Sequence, residues 1–89
     1  MAGTFTLSVL TPERAVFDGP VEYVHVPGSE GYMGVLPNHA ALVTALMPGM
    51  LTIRKPGGAE ERVHVTGGFF EVGGNQATVL ADAIGGAKS

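Results

Sequence analysis

Hydrophobic and polar residues alternate along much of this chain with a period of two. In residues 4–10, Phe5, Leu7 and Val9 are apolar and the residues between them are polar. Successive side chains of a strand point to opposite faces, so this alternation predicts a strand with one buried face. The residues that follow, 11–13 (TPE), predict a turn.

Turn-forming residues separate the later segments and predict three hairpins. The first joins 15–17 to 21–26 through Asp18, Gly19 and Pro20, the second joins 51–54 to 63–65 through Gly57 and Gly58, and the third joins 70–72 to 77–81 through Gly73, Gly74 and Asn75. Turn signals at this spacing are typical of small all-β domains. The predicted fold class is all-β, a flattened antiparallel β-sandwich or barrel.

One segment, residues 40–47 (AALVTALM), fits both a helix and a strand. It is rich in helix-forming residues and ends at Pro48 and Gly49, as a short helix does. It is also short for an isolated helix, and tertiary pairing often overrides such a propensity. The local sequence leaves both structures open.

The segment VPGSEGYMGVLPNHA, residues 26–40, has a glycine at every third position between two prolines. Glycine tolerates positive φ and proline restricts φ, so the segment is predicted to be a shaped loop. Shaped loops on a β scaffold often carry binding residues. The glycine spacing differs from GxGxxG, and Pro37 follows where a helix N-terminus would hold a phosphate, so turn glycines are the preferred interpretation.

Composition restricts the possible partners. The 89 residues fit one domain, and the formal net charge of -3 with 5 Lys plus Arg argues against nucleic-acid binding. No apolar run reaches the roughly 20 residues of a membrane span, and direct insertion into lipid is not expected. The chain has no cysteine, and its first residues do not form a signal segment, so a cytoplasmic location is expected.

No group of residues predicts catalysis, a cofactor or a metal site. The three histidines His25, His39 and His64 have no ligand spacing and are interpreted as ordinary polar residues. No serine lies in a GxSxG motif. Glu60 and Glu61 lie at a predicted hairpin tip, where solvated charge is the simpler interpretation. The chain is therefore expected to be noncatalytic, and an interaction module remains.

Several segments in one order resemble the N-terminal β-sandwich domain of the epsilon subunit of bacterial F-type ATP synthase, the counterpart of the mitochondrial delta subunit. They are LSVLTPERAVFDG, VEYVHVPGSEGYMGVLPNHAALVTAL, PGMLTI, VTGGFFEV and TVLAD, between Phe5 and Asp82. The resemblance implies a sandwich of about ten short strands, with 40–47 mostly strand. The domain is expected to span 1–84, followed by a flexible tail, 85–89.

The resemblance also implies a function. Epsilon is a noncatalytic subunit of the central stalk that binds the gamma subunit and the loops of the c ring, and couples proton-driven rotation to ATP synthesis. It is peripheral to the membrane, at the cytoplasmic face of the bacterial inner membrane. A small-ligand-binding β-sandwich and another kind of protein-interaction module are the alternatives.

Residues at matching positions are expected to make the contacts. For the c ring they are Ser29, Glu30, Tyr32, Met33, Asn38 and His39; for gamma they are Thr11, His39, Thr44 and Met47.

The sequence departs from the family in three places. Tyr32 stands where relatives often have an acidic residue, and Ala41 where they often have proline. Relatives commonly carry a C-terminal helical hairpin that inhibits ATP hydrolysis or binds ATP. No such hairpin is expected within these 89 residues, so neither property is carried over.

Overall fold

The computed structural model describes residues 3–84, which form nine β-strands. The strands are β1 (Phe5–Leu10), β2 (Ala15–Val21), β3 (Tyr23–Gly28), β4 (Gly31–Val35), β5 (Leu42–Leu46), β6 (Gly49–Arg54), β7 (Glu60–Val65), β8 (Gly68–Gly73) and β9 (Gln76–Ala81). The all-β prediction is confirmed, with nine strands instead of about ten. The segment 40–47 contains β5, as the resemblance implied. The predicted tail, 85–89, lies outside the described residues.

The strands form one curled sheet in the order β2-β1-β9-β8-β5-β3-β6-β7, with β4 beside β3. The contact between β5 and β3 is narrow, a single residue pair, Gly28 with Leu46. It divides the sheet into a first half, β2-β1-β9-β8-β5, and a second half, β4-β3-β6-β7. The inward faces of both halves bury a common apolar core.

Most of the core consists of the alternating apolar residues that the sequence pattern identified; Val35, from the predicted loop, and Leu46, from the undecided segment, are also part of it. Leu7, Val9, Val65, Phe70 and Val79 are fully buried. Burial of such side chains stabilises the domain by about 1.5 to 3 kcal/mol each. The polar residues between them face outward, so the period of two determines which face of each strand is buried.

The pairing partly differs from the prediction. Strands β6 and β7 form the second predicted hairpin, and β8 and β9 form the third. Strand β1, however, pairs with β9 in parallel, from Thr6 with Gln76 to Leu10 with Leu80. The sheet is therefore not antiparallel throughout.

The first predicted hairpin is wrong. Asp18, Gly19 and Pro20 lie inside β2, which pairs with β1. Strand β2 is at one end of the sheet, where the missing N–H of proline is tolerated. The Ser8 hydroxyl donates a hydrogen bond to Asp18 Oδ1 across the pair, at 3.2 Å. Three residues with turn propensity are thus accommodated by an edge strand.

Candidate functional site

The predicted loop 26–40 is mostly a β-hairpin. Strands β3 and β4 pair from Val24 with Val35 to Gly28 with Gly31, so the turn contains only two residues, Ser29 and Glu30. Gly31 follows with a φ of 128°, which glycine adopts most easily. The loop prediction is therefore corrected: of this segment, the turn and residues 36–40 lie outside the strands.

A groove of about 440 Å³ lies between the end of this hairpin and β5, lined by residues 28–33 and 42–44. It brings together four of the six residues predicted for the c ring, Ser29, Glu30, Tyr32 and Met33. Thr44, which was predicted to contact gamma, lines the same groove. The two sets of predicted contacts therefore overlap here.

Tyr32 is held against the outer face of the second half of the sheet. Its ring stacks on His25, with the centroids 4.9 Å apart and the planes at 15°. Its hydroxyl oxygen accepts a hydrogen bond from the N–H of Met50, at 2.9 Å. A Cβ on Gly49 would lie 2.5 Å from this oxygen, so the glycine leaves the space that the tyrosine occupies. Tyr32 is still 53% exposed, and combines a structural role with an accessible surface.

The stacking continues beyond Tyr32. The rings of Tyr23 and His25 stack at 6.3 Å, and the Arg54 guanidinium lies 5.1 Å above the Tyr23 ring. Tyr23 and Arg54 were not among the residues predicted from the sequence. The sequence feature that could have indicated the stacked rings is the alternation of Tyr23 and His25 with the buried Val24 and Val26, which places both rings on the outer face.

We expect Tyr32→Phe to lower the free energy of unfolding by about 0.5 to 1.5 kcal/mol, because it removes one hydrogen bond and keeps the stacked ring. Tyr32→Asp also removes the ring and should cost more. Urea denaturation followed by circular dichroism measures both. Equal stability of all three proteins would show that the ring and its hydrogen bond do not support the fold.

Asn38 and His39 lie outside the groove. Asn38 has a φ of 65°, and its N–H donates to Asn75 Oδ1 at 2.8 Å. The Asn75 Nδ2 group donates to the Thr4 carbonyl oxygen at 2.9 Å, which ties the turn between β8 and β9 to the start of β1. His39 Nδ1 donates to the carbonyl oxygen of Ala40 at 2.7 Å. These two predicted ring contacts are therefore near another turn of the domain.

The residues predicted for gamma are also dispersed. Thr11 stabilises the turn between β1 and β2: its hydroxyl oxygen accepts hydrogen bonds from the N–H groups of Glu13 and Arg14. Met47 is exposed where β5 ends, and its N–H donates to the Pro27 carbonyl oxygen at 2.8 Å. The fold therefore does not bring the four residues predicted for gamma, Thr11, His39, Thr44 and Met47, together in a single site.

An apolar strip crosses the outer face of the first half of the sheet. The pairing aligns Ala45 on β5, Phe69 on β8, Leu80 on β9 and Leu10 on β1 in one row. Phe69 is 57% exposed and Leu80 is 47% exposed. We call these four residues the apolar strip.

Thr11 lies beside one end of the apolar strip, in a depression of about 360 Å³ that is also lined by Phe69 and Leu80. Thr11 was among the residues predicted for gamma, whereas the strip was not predicted. The sequence feature that could have indicated the strip is the pair Phe69 and Phe70. Adjacent strand residues point to opposite faces, so one of the two large rings must point outward.

The charged residues 54–62 form ion pairs around the β6–β7 hairpin. Lys55 Nζ lies 3.0 Å from Glu61 Oε1, and Arg54 and Arg62 each lie 3.4 Å from a Glu60 oxygen. The side chains are largely exposed, and such pairs contribute little to stability. Among residues 3–84 no three metal-binding side chains come close enough to hold an ion. No helix in that range is long and apolar enough to span a membrane.

Comparison with known proteins gives a consistent result. Residues 4–87 match the family described as ATP synthase, Delta/Epsilon chain, beta-sandwich domain. The chain is 48% identical over 79 residues to the ATP synthase epsilon chain of Moorella thermoacetica, a match that covers 89% of this chain and 59% of the relative. The chain thus spans about three fifths of that protein.

Solved structures of ATP synthases contain the same fold. A chain in the cryo-EM structure of the Euglena gracilis mitochondrial enzyme, with OSCP, F1 and c-ring, matches with a TM-score of 0.86 and 25% identity, over 91% of this chain and 52% of that one. A chain in the central stalk and c-ring structure from Tetrahymena thermophila mitochondria matches with a TM-score of 0.74 and 17% identity, over 89% and 63%. At 17% identity the second match concerns the fold alone.

Proposed function

Since this chain belongs to the family of delta and epsilon β-sandwich domains of ATP synthase, we propose that it is a noncatalytic subunit of the central stalk. In this role it binds the gamma subunit and the c ring, and it couples proton-driven rotation to ATP synthesis. It would be peripheral to the membrane, at the cytoplasmic face of the bacterial inner membrane. The family match over residues 4–87, which covers every strand, carries the proposal.

The ring-facing surface in this proposal is the turn and groove of the β3–β4 hairpin. Ser29 and Glu30 are exposed at the turn, and Tyr32 and Met33 follow on β4. The short hairpin fixes the position of these side chains, which favours a contact of defined shape. Asn38 and His39 extend the surface toward the β8–β9 turn.

The gamma-facing surface in this proposal is the apolar strip. Thr11 lies beside it, and Met47 lies next to β5, which carries Ala45 of the strip. Thr44 pairs with the buried Phe70, so its side chain is on the opposite face of β5 and lines the groove instead. Protein interfaces depend on a few large side chains in a desolvated centre, and Phe69 is suited to that position. The strip adds an apolar centre to a set of predicted contacts in which Met47 is the one apolar residue.

Binding to purified gamma tests the proposal directly. We expect association of the folded chain with gamma at micromolar concentration or below, measured by isothermal titration calorimetry. Circular dichroism of the same sample verifies the fold. If the folded chain does not bind gamma at that concentration, the proposal is wrong.

We expect His39→Ala to weaken assembly on the c ring by about tenfold, which corresponds to about 1.4 kcal/mol. The His39 side chain bonds to its own neighbour Ala40, so the fold should be retained. Co-sedimentation with purified c ring measures the change. His64→Ala, an exposed histidine on β7, is the matched control and should bind normally. A His39→Ala protein that unfolds, or binds as well as the control, would contradict this assignment.

A further inference from the structure

We infer that the groove beside β5 binds an extended segment of a partner protein by strand addition, with Val43 as the backbone pairing position and Glu30 facing a basic side chain of that segment. The inference rests on the proposed function, because the groove lies within the ring-facing surface, and it specifies the mode of binding there.

The edge of β5 that faces the groove has free pairing positions. The carbonyl oxygen of Ala45 accepts a hydrogen bond from the N–H of Ser29 at 2.9 Å, so the backbone of Ala45 is directed away from β8. In an antiparallel pair this direction alternates with a period of two, and Val43 has the same direction. Within residues 3–84 the contact of β5 with β3 is confined to the end of β5, at Leu46. In the part of the chain that the structure describes, the N–H and C=O of Val43 therefore have no strand partner.

Strand β4 also has an open edge, on the side away from β3. The carbonyl oxygen of Pro27 accepts from the N–H of Met47, so the backbone of Pro27 is directed away from β4. Its antiparallel partner, Tyr32, directs its own N–H and C=O away from β3 for the same reason. In the described part of the chain, β4 pairs with β3 alone. Since Pro27 is directed toward β5, β4 lies on the other side of β3, and its open edge is directed away from β5. The backbone pairing position at the groove is therefore that of β5.

The other ends of the sheet are protected. The β7 edge carries Glu60, Glu61 and Arg62 in ion pairs, and β2 carries Asp18 and Pro20. Charge and proline are the usual means of preventing a sheet edge from pairing with another chain. Neither β4 nor β5 contains a charged residue or a proline. This difference between the edges favours pairing at the groove.

The side chains define the chemistry of the segment. Met33 and Leu42 are partly buried against the core, and Val43 is 68% exposed. Glu30 is the one charged residue among those that line the groove. An extended segment with alternating apolar side chains and one Lys or Arg matches this lining in shape and charge. Main-chain hydrogen bonds would supply affinity, and the basic residue would set the register.

The experiment uses the full chain and a hexapeptide that alternates valine and threonine around one arginine. Amide chemical shifts and hydrogen exchange are measured by NMR as the peptide is added. We expect shifts for residues 28–33 and 42–44, and slower exchange of the Val43 N–H. Val43→Pro removes this donor on the side that does not pair with β8, and should weaken binding at least tenfold. Val43→Thr keeps the donor and should stay within threefold.

A peptide N-methylated at alternate residues tests the same hydrogen bonds without changing the protein, and keeps the result decisive if Val43→Pro fails to fold. Equal binding of the methylated and unmethylated peptides would overturn the inference. Amide chemical-shift changes confined to residues outside the groove would overturn it as well. The same shifts on concentrating the chain without peptide would assign the edge to self-association and also overturn it.

The experiments distinguish a failure of this binding mode from a failure of the proposed function. A chain that binds gamma and the c ring, with no peptide effect at Val43, retains the function and loses this binding mode. A chain that pairs with the peptide and binds neither subunit retains the binding mode and loses the function.

Discussion

Gly68→Ala is expected to lower the free energy of unfolding by about 2 to 6 kcal/mol. Gly68 begins β8 with a φ of +133°, and a Cβ there would overlap the carbonyl oxygen of Leu80 on β9. A non-glycine residue in such a conformation costs about 1 to 3 kcal/mol. Overpacking against a fixed backbone costs about 1 to 3 kcal/mol more. Stability for 89 residues is about 4 to 13 kcal/mol, so the loss is a large fraction of it.

Urea denaturation measures the Gly68→Ala effect, and Gly58→Ala is the matched control. Gly58 has a φ of +99°, but a Cβ there would meet no atom within 4 Å. The control should show the backbone strain alone, and the difference between the variants isolates the overlap with Leu80. Equal losses of stability in both variants would show that the overlap with the Leu80 carbonyl oxygen adds nothing to the cost of the substitution, and would contradict the prediction.

Local sequence was sufficient to predict the hairpins with clear turns. Gly57 and Gly58 both have positive φ between β6 and β7, and Gly74 and Asn75 have positive φ between β8 and β9. These positions need the residue types that occupy them, so composition and conformation agree. The alternating segments on each side then determine the register.

Local sequence failed where distant pairing determined the structure. Asp18 and Pro20 have turn propensity, yet they extend along β1 at the end of the sheet. Likewise, the parallel pairing of β1 with β9 joins residues about 70 positions apart, such as Thr6 and Gln76. Neither the strand at residues 18–20 nor this parallel pairing can be predicted from a short stretch of sequence, because the partner strand supplies the stabilising contacts. The family resemblance supplied the strand at 40–47 for the same reason.

The candidate site was predicted in part. Resemblance identified Glu30, Tyr32 and Met33, which the groove brings together, but it gave no reason to expect the hydrogen bond between Tyr32 and Met50. That bond depends on Gly49, 17 positions after Tyr32 in the sequence. The apolar strip was missed because its row runs across four strands, and only the register reveals it.

Phe69→Asp is expected to weaken binding to gamma by about 100-fold, which corresponds to about 2.7 kcal/mol. Phe69 is 57% exposed in the middle of the apolar strip, between Ala45 and Leu80. A carboxylate at the centre of a desolvated contact loses its hydration without gaining a partner, which makes the effect larger than loss of the ring alone. Calorimetric titration with gamma measures the affinity, and Phe69→Leu should retain most of it.

The matched control for Phe69→Asp is Met50→Asp, which places the same charge on an exposed apolar residue of β6, in the other half of the sheet. Both variants should keep the fold, since each side chain points outward, and Met50→Asp should bind gamma normally. Binding to the c ring should be unchanged in Phe69→Asp, because the groove lies on the other side of β5 from β8. Equal weakening of gamma binding in both variants would assign the effect to net charge and remove the apolar strip from the interface.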